Sequence, residues 1–194
     1  MFKSLLLTTA FFFALATVAT AQVDADKSLV TWKGYKVTGE HAGTISVADS
    51  SSLDFKEGVL TGGTIFIDMP SIAVTDLTGG TKAKLEGHLK SADFFGVEKF
   101  PTAKLVITTV VSRGTPGDYR VTAEITIKEN TETIRFNTKV TEEMGAFVAV
   151  ADITVDRTDF DVRYGSGSFI DNLGDKTIYD EFDLTVKLVA KPGM

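Results

Sequence analysis

The sequence predicts an all-β chain of about eight antiparallel strands, the pattern of a sandwich or a closed barrel, with one short helix in a connecting segment. Three observations predict it. Apolar residues alternate with polar ones in run after run. Turn-forming residues separate these runs at short, regular intervals. One segment alone is rich in helix formers.

The alternation is clearest where Tyr119, Val121, Ala123, Ile125 and Ile127 interleave with Arg120, Thr122, Glu124, Thr126 and Lys128. A period of two places successive side chains on opposite faces of a strand, so each run has one apolar and one polar face. Phe182, Leu184, Val186, Leu188 and Ala190 make a second such face. Ile134, Phe136, Thr138 and Val140 make a third, and Phe147, Ala149, Ala151, Ile153 and Val155 a fourth. Ile65, Ile67 and Met69 follow the glycines at 62 and 63, and residues 103–111 read as a strand apolar on both sides. Residues 29–37 and 43–47, with a short strand around 53–55, complete the set.

Turn residues fall between these runs: Gly114-Thr115-Pro116-Gly117-Asp118, Lys128-Glu129-Asn130-Thr131, and Glu143-Met144-Gly145. Thr81 to Leu89 follows Gly79-Gly80 and lacks the two-residue period, so it is read as the helix. No repeat or low-complexity tract divides residues 22–194, which form one domain.

Residues 1–21 read as a cleaved Sec-type signal peptide of an exported bacterial protein. Lys3 supplies a positive start, Leu5 to Val18 an uncharged apolar stretch, and Ala19-Thr20-Ala21 the small-residue cleavage pattern, so the mature chain is expected to start at Gln22. The apolar stretch is shorter than the roughly 20 residues of a bilayer-spanning helix. The expected location is therefore the periplasm or the exterior. Cysteine is absent, so neither disulfides nor a lipid-modified cysteine can contribute. The formal charge is −6, and removing the leader takes away one lysine and no acid. That acidity argues against nucleic acid as a partner.

A barrel of eight strands either fills with its own side chains or holds one small ligand. Ala103, Ala123, Ala149 and Ala151 fall at inward-face positions and leave room, whereas the many phenylalanines suit either outcome. His41 and His88 are the only histidines and lack metal-ligand spacing, so no metal and no cofactor is expected. Tyr164-Gly165-Ser166-Gly167-Ser168 misses the nucleophile-elbow pattern, and the acid pairs Asp159/Asp161 and Asp180/Glu181 suit an acidic surface. The chain is read as a binding protein, not an enzyme; the alternatives are a barrel enzyme acting on a lipid and a structural barrel without ligand. Trp32, the single tryptophan, sits on the first strand. Either Arg157 covers its ring, or Trp32 is plain core and Arg157 pairs at the surface. Charges in mid-strand, such as Arg120, Glu124 and Lys187, oppose an outer-membrane barrel, whose outer face must be apolar.

Longer stretches carry a resemblance. Gly39-Glu40-His41-Ala42-Gly43, Asp68-Met69-Pro70-Ser71-Ile72, His88-Leu89-Lys90-Ser91-Ala92-Asp93-Phe94-Phe95 with Phe100-Pro101-Thr102-Ala103, and Ile125-Thr126-Ile127-Lys128 resemble the YceI-like family. So do Val155-Asp156-Arg157-Thr158-Asp159-Phe160, Arg163 to Phe169, and Leu173-Gly174-Asp175-Lys176. Two positions depart from it: Asp161 stands where the family has glycine, and Lys128-Glu129 replaces its Lys-Gly turn. The resemblance implies an eight-stranded lipocalin-like barrel. It also implies an elongated apolar cavity for a polyisoprenoid, an isoprenoid quinone, or a fatty-acyl or amide chain. The apolar faces, joined to that resemblance, nominate Trp32, Ile65, Ile67, Phe94, Phe95, Leu105, Ile107, Phe136, Phe147, Phe182 and Leu184 as ligand-binding side chains. The inward face of 103–111 stays open, since a one-residue slip exchanges Leu105 and Ile107 for Val106 and Val110. The expected partner is one long-chain lipid held by a protein that does not span the membrane, and the sequence leaves a homodimer open.

Overall fold

The structure, a computed structural model, describes residues 18–192. Most of the expected leader, residues 1–17, lies outside the described residues. Ten strands form one closed sheet: β1 (Val18–Val23), β2 (Leu29–Lys36), β3 (Gly39–Val47), β4 (Ser52–Lys56), β5 (Val59–Val74), β6 (Thr102–Ser112), β7 (Asp118–Ile127), β8 (Asn130–Glu143), β9 (Ala146–Asp156) and β10 (Ile178–Pro192). Helix α1 (Gly79–Lys90) joins β5 to β6. Eight of these strands make the barrel, in the order β5-β3-β2-β10-β9-β8-β7-β6, and β6 pairs back onto β5. Every pairing is antiparallel. Closure leaves no barrel edge with unpaired backbone groups.

Strands β1 and β4 lengthen this barrel at one end. The start of β5 pairs with β4 and its end with β3, while the start of β10 pairs with β2 and its end with β1. The pair β1–β4 thus continues the wall where β2 and β3 leave off. Ala21, Val23, Leu53 and Phe55 turn inward there and are at most 2% exposed. Val18–Ala21, expected to belong to the leader, form the first part of β1.

Tight turns match the local chemistry. Glu57-Gly58 and Met144-Gly145 both carry two consecutive positive φ angles, the conformation that suits a two-residue hairpin. Lys128 has φ 57° in the turn between β7 and β8. Strand β6 contains the one irregularity that decides its face. Ile107 sits opposite Ala123 and Val110 opposite Val121, so three steps along β6 match two along β7. Ala103, Leu105 and Ile107 therefore face inward, and beyond the bulge Val110 does as well. The two alternatives left open by the sequence each hold for part of the strand.

Candidate ligand-binding cavity

The inward residues of the barrel enclose a cavity of about 200 Å³. Its floor lies among Leu53, Leu60, Val121, Ala149 and Leu188. These are buried, and β1 and β4 close the barrel behind them. Its roof is α1 with the segment that follows, which contribute Leu89, Phe94 and Phe95. The cavity opens where β2 meets the start of β10. Four steps along β10, from 178 to 182, match two along β2, from 36 to 34, so the register shifts there. Gly34, Tyr35, Tyr179 and Glu181 line the opening, and a β-carbon on Gly34 would meet nothing within 4 Å.

Ten of the eleven nominated residues stand on the cavity wall: Trp32, Ile65, Ile67, Phe94, Phe95, Leu105, Ile107, Phe136, Phe182 and Leu184. Phe147 does not. Its ring stacks on Phe55 with centroids 3.8 Å apart, beside the floor, because β9 begins there next to the end of β10, which pairs with β1. Sequence reasoning missed other wall residues, among them Ile45, Met69, Ile72, Ile125 and Ile153. The two-residue period could have supplied Ile125 and Ile153. Met69 continues the period of Ile65 and Ile67, whereas Ile72 is inward as well because the β3–β5 register shifts between Ala73 and Asp68.

The motif Asp156-Arg157-Thr158-Asp159-Phe160 builds the upper rim. The Asp156 carboxylate accepts from the Thr158 amide at 2.8 Å and its hydroxyl at 2.7 Å, which starts a single 3-10 turn. That turn ends at Asp161 in the left-handed region, φ 57°. This explains why glycine suits the position. Arg157, 2% exposed, points inward. Its Nε donates to the Tyr179 carbonyl (3.0 Å), Nη1 to the Val162 carbonyl (2.6 Å) and Nη2 to the Ile178 carbonyl (2.9 Å), with Asp180 at 3.4 Å. Neither pairing expected from the sequence is found. The guanidinium stands over the Phe94 ring at 5.6 Å, not over Trp32, and its ion pair is buried rather than superficial. Burial lowers the Arg157 pKa, an effect opposed by Asp180 and Asp156. Burial by itself would raise the Asp180 pKa, but hydrogen bonds from Ser168 and Ser166 and the charge of Arg157 outweigh it and hold the carboxyl below its usual range.

Little else on the wall is polar. Thr138 donates to the Val150 carbonyl at 2.9 Å, and Tyr35 donates to Asp183 at 2.6 Å. Hydrogen bonds from Thr154 and Tyr35 lower the Asp183 pKa. The Trp32 indole nitrogen is buried with no partner, which costs about 1–3 kcal/mol. His88 is not on the wall. It packs edge-on against Phe94 (5.5 Å) and Tyr164 (4.4 Å) and ties the helix to the loop before β10. Glu86 holds the helix from the other side, accepting from the Val74 amide at 2.8 Å. The arrangement suits an elongated apolar guest entering end-on beside β2.

Solved structures share this architecture. BcnA of Burkholderia cenocepacia is 22% identical, with 87% of this chain and 99% of that one covered and a TM-score of 0.70. A polyisoprenoid-binding domain from Saccharophagus degradans, implicated in plant cell wall breakdown, is 12% identical, with coverages of 91% and 100% and a TM-score of 0.64. The Campylobacter jejuni YCEI protein is 15% identical, with coverages of 100% and 99% and a TM-score of 0.53. A comparison with curated proteins finds no match. The YceI-like domain model matches residues 16–190, nearly the whole described chain, and with the barrel, its roof and the Arg157 rim in place the chain belongs to the YceI-like family.

Proposed function

We propose that this protein is an exported lipid carrier that holds one long apolar tail inside its barrel and catalyses no reaction on it. The tail is a polyisoprenoid, an isoprenoid quinone, or a fatty-acyl or amide chain. The observation that carries this reading is the continuous apolar wall, closed at the floor and open beside β2. Each methylene moved from water onto such a wall contributes about 0.8 kcal/mol, so shape and apolarity suffice for affinity. Most polar groups on the wall serve the barrel's own hydrogen bonds, as Arg157, Thr138 and Tyr35 do, which favours holding over catalysis. The name of the Saccharophagus domain, polyisoprenoid binding, supports the same reading.

The outer face fits a protein surrounded by water. Arg120, Glu124 and Lys187 stand exposed in mid-strand, where a lipid-facing barrel would be apolar. Among the described residues no helix is long and apolar enough to cross a membrane. The small-residue pattern at 19–21 supports export.

Mass spectrometry of an organic extract of natively purified protein tests the proposal. One class of long-chain lipid at about one molecule per barrel is expected. Titration with isoprenoid and acyl chains should show affinity rising with chain length. Protein that carries no lipid and binds none of these chains would be a structural barrel instead.

A further inference from the structure

Exposed aromatic side chains gather at the mouth of the cavity. Tyr164, Phe169 and Tyr179 are the only exposed aromatic residues among the described ones, and Val37 and Ile170 stand with them, all at 44% to 52% exposure. Backbone hydrogen bonds hold these segments side by side. The Val37 amide donates to the Thr177 carbonyl (3.1 Å), the Ile178 amide to the Gly165 carbonyl (2.8 Å), and the Ile170 amide to the Ser166 carbonyl (2.9 Å). Residues 164–170, 177–179 and Val37 thus share one end of the barrel, where Tyr179 itself lines the opening. Two contacts brace the patch. Tyr164 packs edge-on against His88 of the roof helix at 4.4 Å, and the Arg163 guanidinium stands over the Phe169 ring at 4.5 Å. Charges of both signs flank these residues in the chain, Lys36, Arg163 and Lys176 against Asp171, Asp175 and Glu181.

We propose, building on the carrier reading, that this patch docks the mouth of the barrel on a lipid bilayer, so that the tail passes between bilayer and cavity without crossing water. Every methylene exposed to water during transfer raises the barrier to it. Apolar side chains around the mouth remove that exposure when they meet another apolar medium, and the bilayer is the one that holds the guest. Rings with a polar tip, as on Tyr164 and Tyr179, suit the boundary between acyl chains and head groups. The mixed charges give no preference for an anionic surface, so the contact is apolar rather than electrostatic. A second copy of the chain seated here would cover the opening through which the guest must pass.

Flotation of the intact mature protein with phosphatidylcholine vesicles tests this. The protein should float with the vesicles, and added salt should change little because the contact is not ionic. Phe169→Ser and Ile170→Ser together should weaken vesicle association by roughly tenfold. The same pair should slow passage of a fluorescent isoprenoid from vesicle to protein while leaving the amount bound at equilibrium unchanged. Val111→Ser, at an exposed position near the end of β6, should alter neither quantity. In the unsubstituted protein, vesicles should slow hydrogen exchange of the 164–170 amides, a readout that does not depend on how a variant folds. Protein that ignores vesicles, or vesicle binding with association and exchange unmoved at the patch, would overturn the proposal. So would a dimer in sedimentation that these substitutions dissociate, which assigns the patch to a second copy. Vesicle docking through the patch with no chain taken into the barrel would support the docking surface and sink the carrier reading alone.

Discussion

The indole of Trp32 lies flat against Gly43, its cross-strand partner, with no room between them. A β-carbon on Gly43 would come within 2.5 Å of the Trp32 ring and 1.9 Å of the Ala73 carbonyl. The glycine is what allows the bulky ring to sit on the wall while β3 stays paired with β5. Gly43→Ala should therefore destabilise the fold by about 1–3 kcal/mol through overpacking and should shift Trp32 emission. Denaturant midpoints and fluorescence spectra of the two proteins check both effects.

Ala151 offers a way to fill the cavity without disturbing its frame. It faces inward on β9, opposite Thr138 and Val186, and lines the cavity. Ala151→Phe should reduce lipid content sharply while the thermal midpoint holds or rises, because the ring occupies vacant space. Lys187→Ala, on the exposed outer face, should change neither quantity. Lipid extraction and calorimetry of both variants give the answer.

Asp161 holds a left-handed backbone, φ 57°, that glycine adopts without strain. Asp161→Gly should stabilise the protein by about 0.5 kcal/mol, and the gain should persist at high salt because its Arg163 contact is exposed. Thermal unfolding at two ionic strengths tests it.

The Arg157–Asp180 pair gives the rim an acid limit. The folded-state pKa of Asp180 is depressed, so the pair's stabilisation is complete above the unfolded value of about 3.9 and is lost as pH falls through the lower folded value. Asp180→Asn should be less stable than the parent at neutral pH and should lose less of its stability on acidification below about pH 4. Unfolding midpoints across that window measure the difference.

Cleavage before Gln22, expected from the sequence, would have a structural consequence at the floor. Val18–Ala21 make four of the five register pairs between β1 and β4, and Ala21 is 1% exposed. A chain starting at Gln22 should therefore have a lower thermal midpoint than one starting at Val18, and its β4 amides should exchange hydrogen faster. Intact mass of protein from the producing cells identifies the natural start, and hydrogen exchange on both forms measures the effect.

Alternation along single strands made much of this protein legible before any contact was known. Side-chain direction in a strand repeats every two residues, so Tyr119 to Ile127 and Phe182 to Ala190 declared their inward faces locally, and most nominated wall residues stand where that period puts them. Tertiary structure decided the places where the period is interrupted or a partner comes from afar. The bulge after Ile107 turned Val110 inward, and no propensity of Thr108 or Thr109 announces it. The added strands β1 and β4 drew Phe147 onto Phe55 and off the wall. Arg157 found its carbonyls on residues 162, 178 and 179, which only the folded loop brings within reach. Face is a property of one strand's geometry. Floor, roof and opening are properties of pairings between segments far apart in the chain, and those the closed barrel alone specifies.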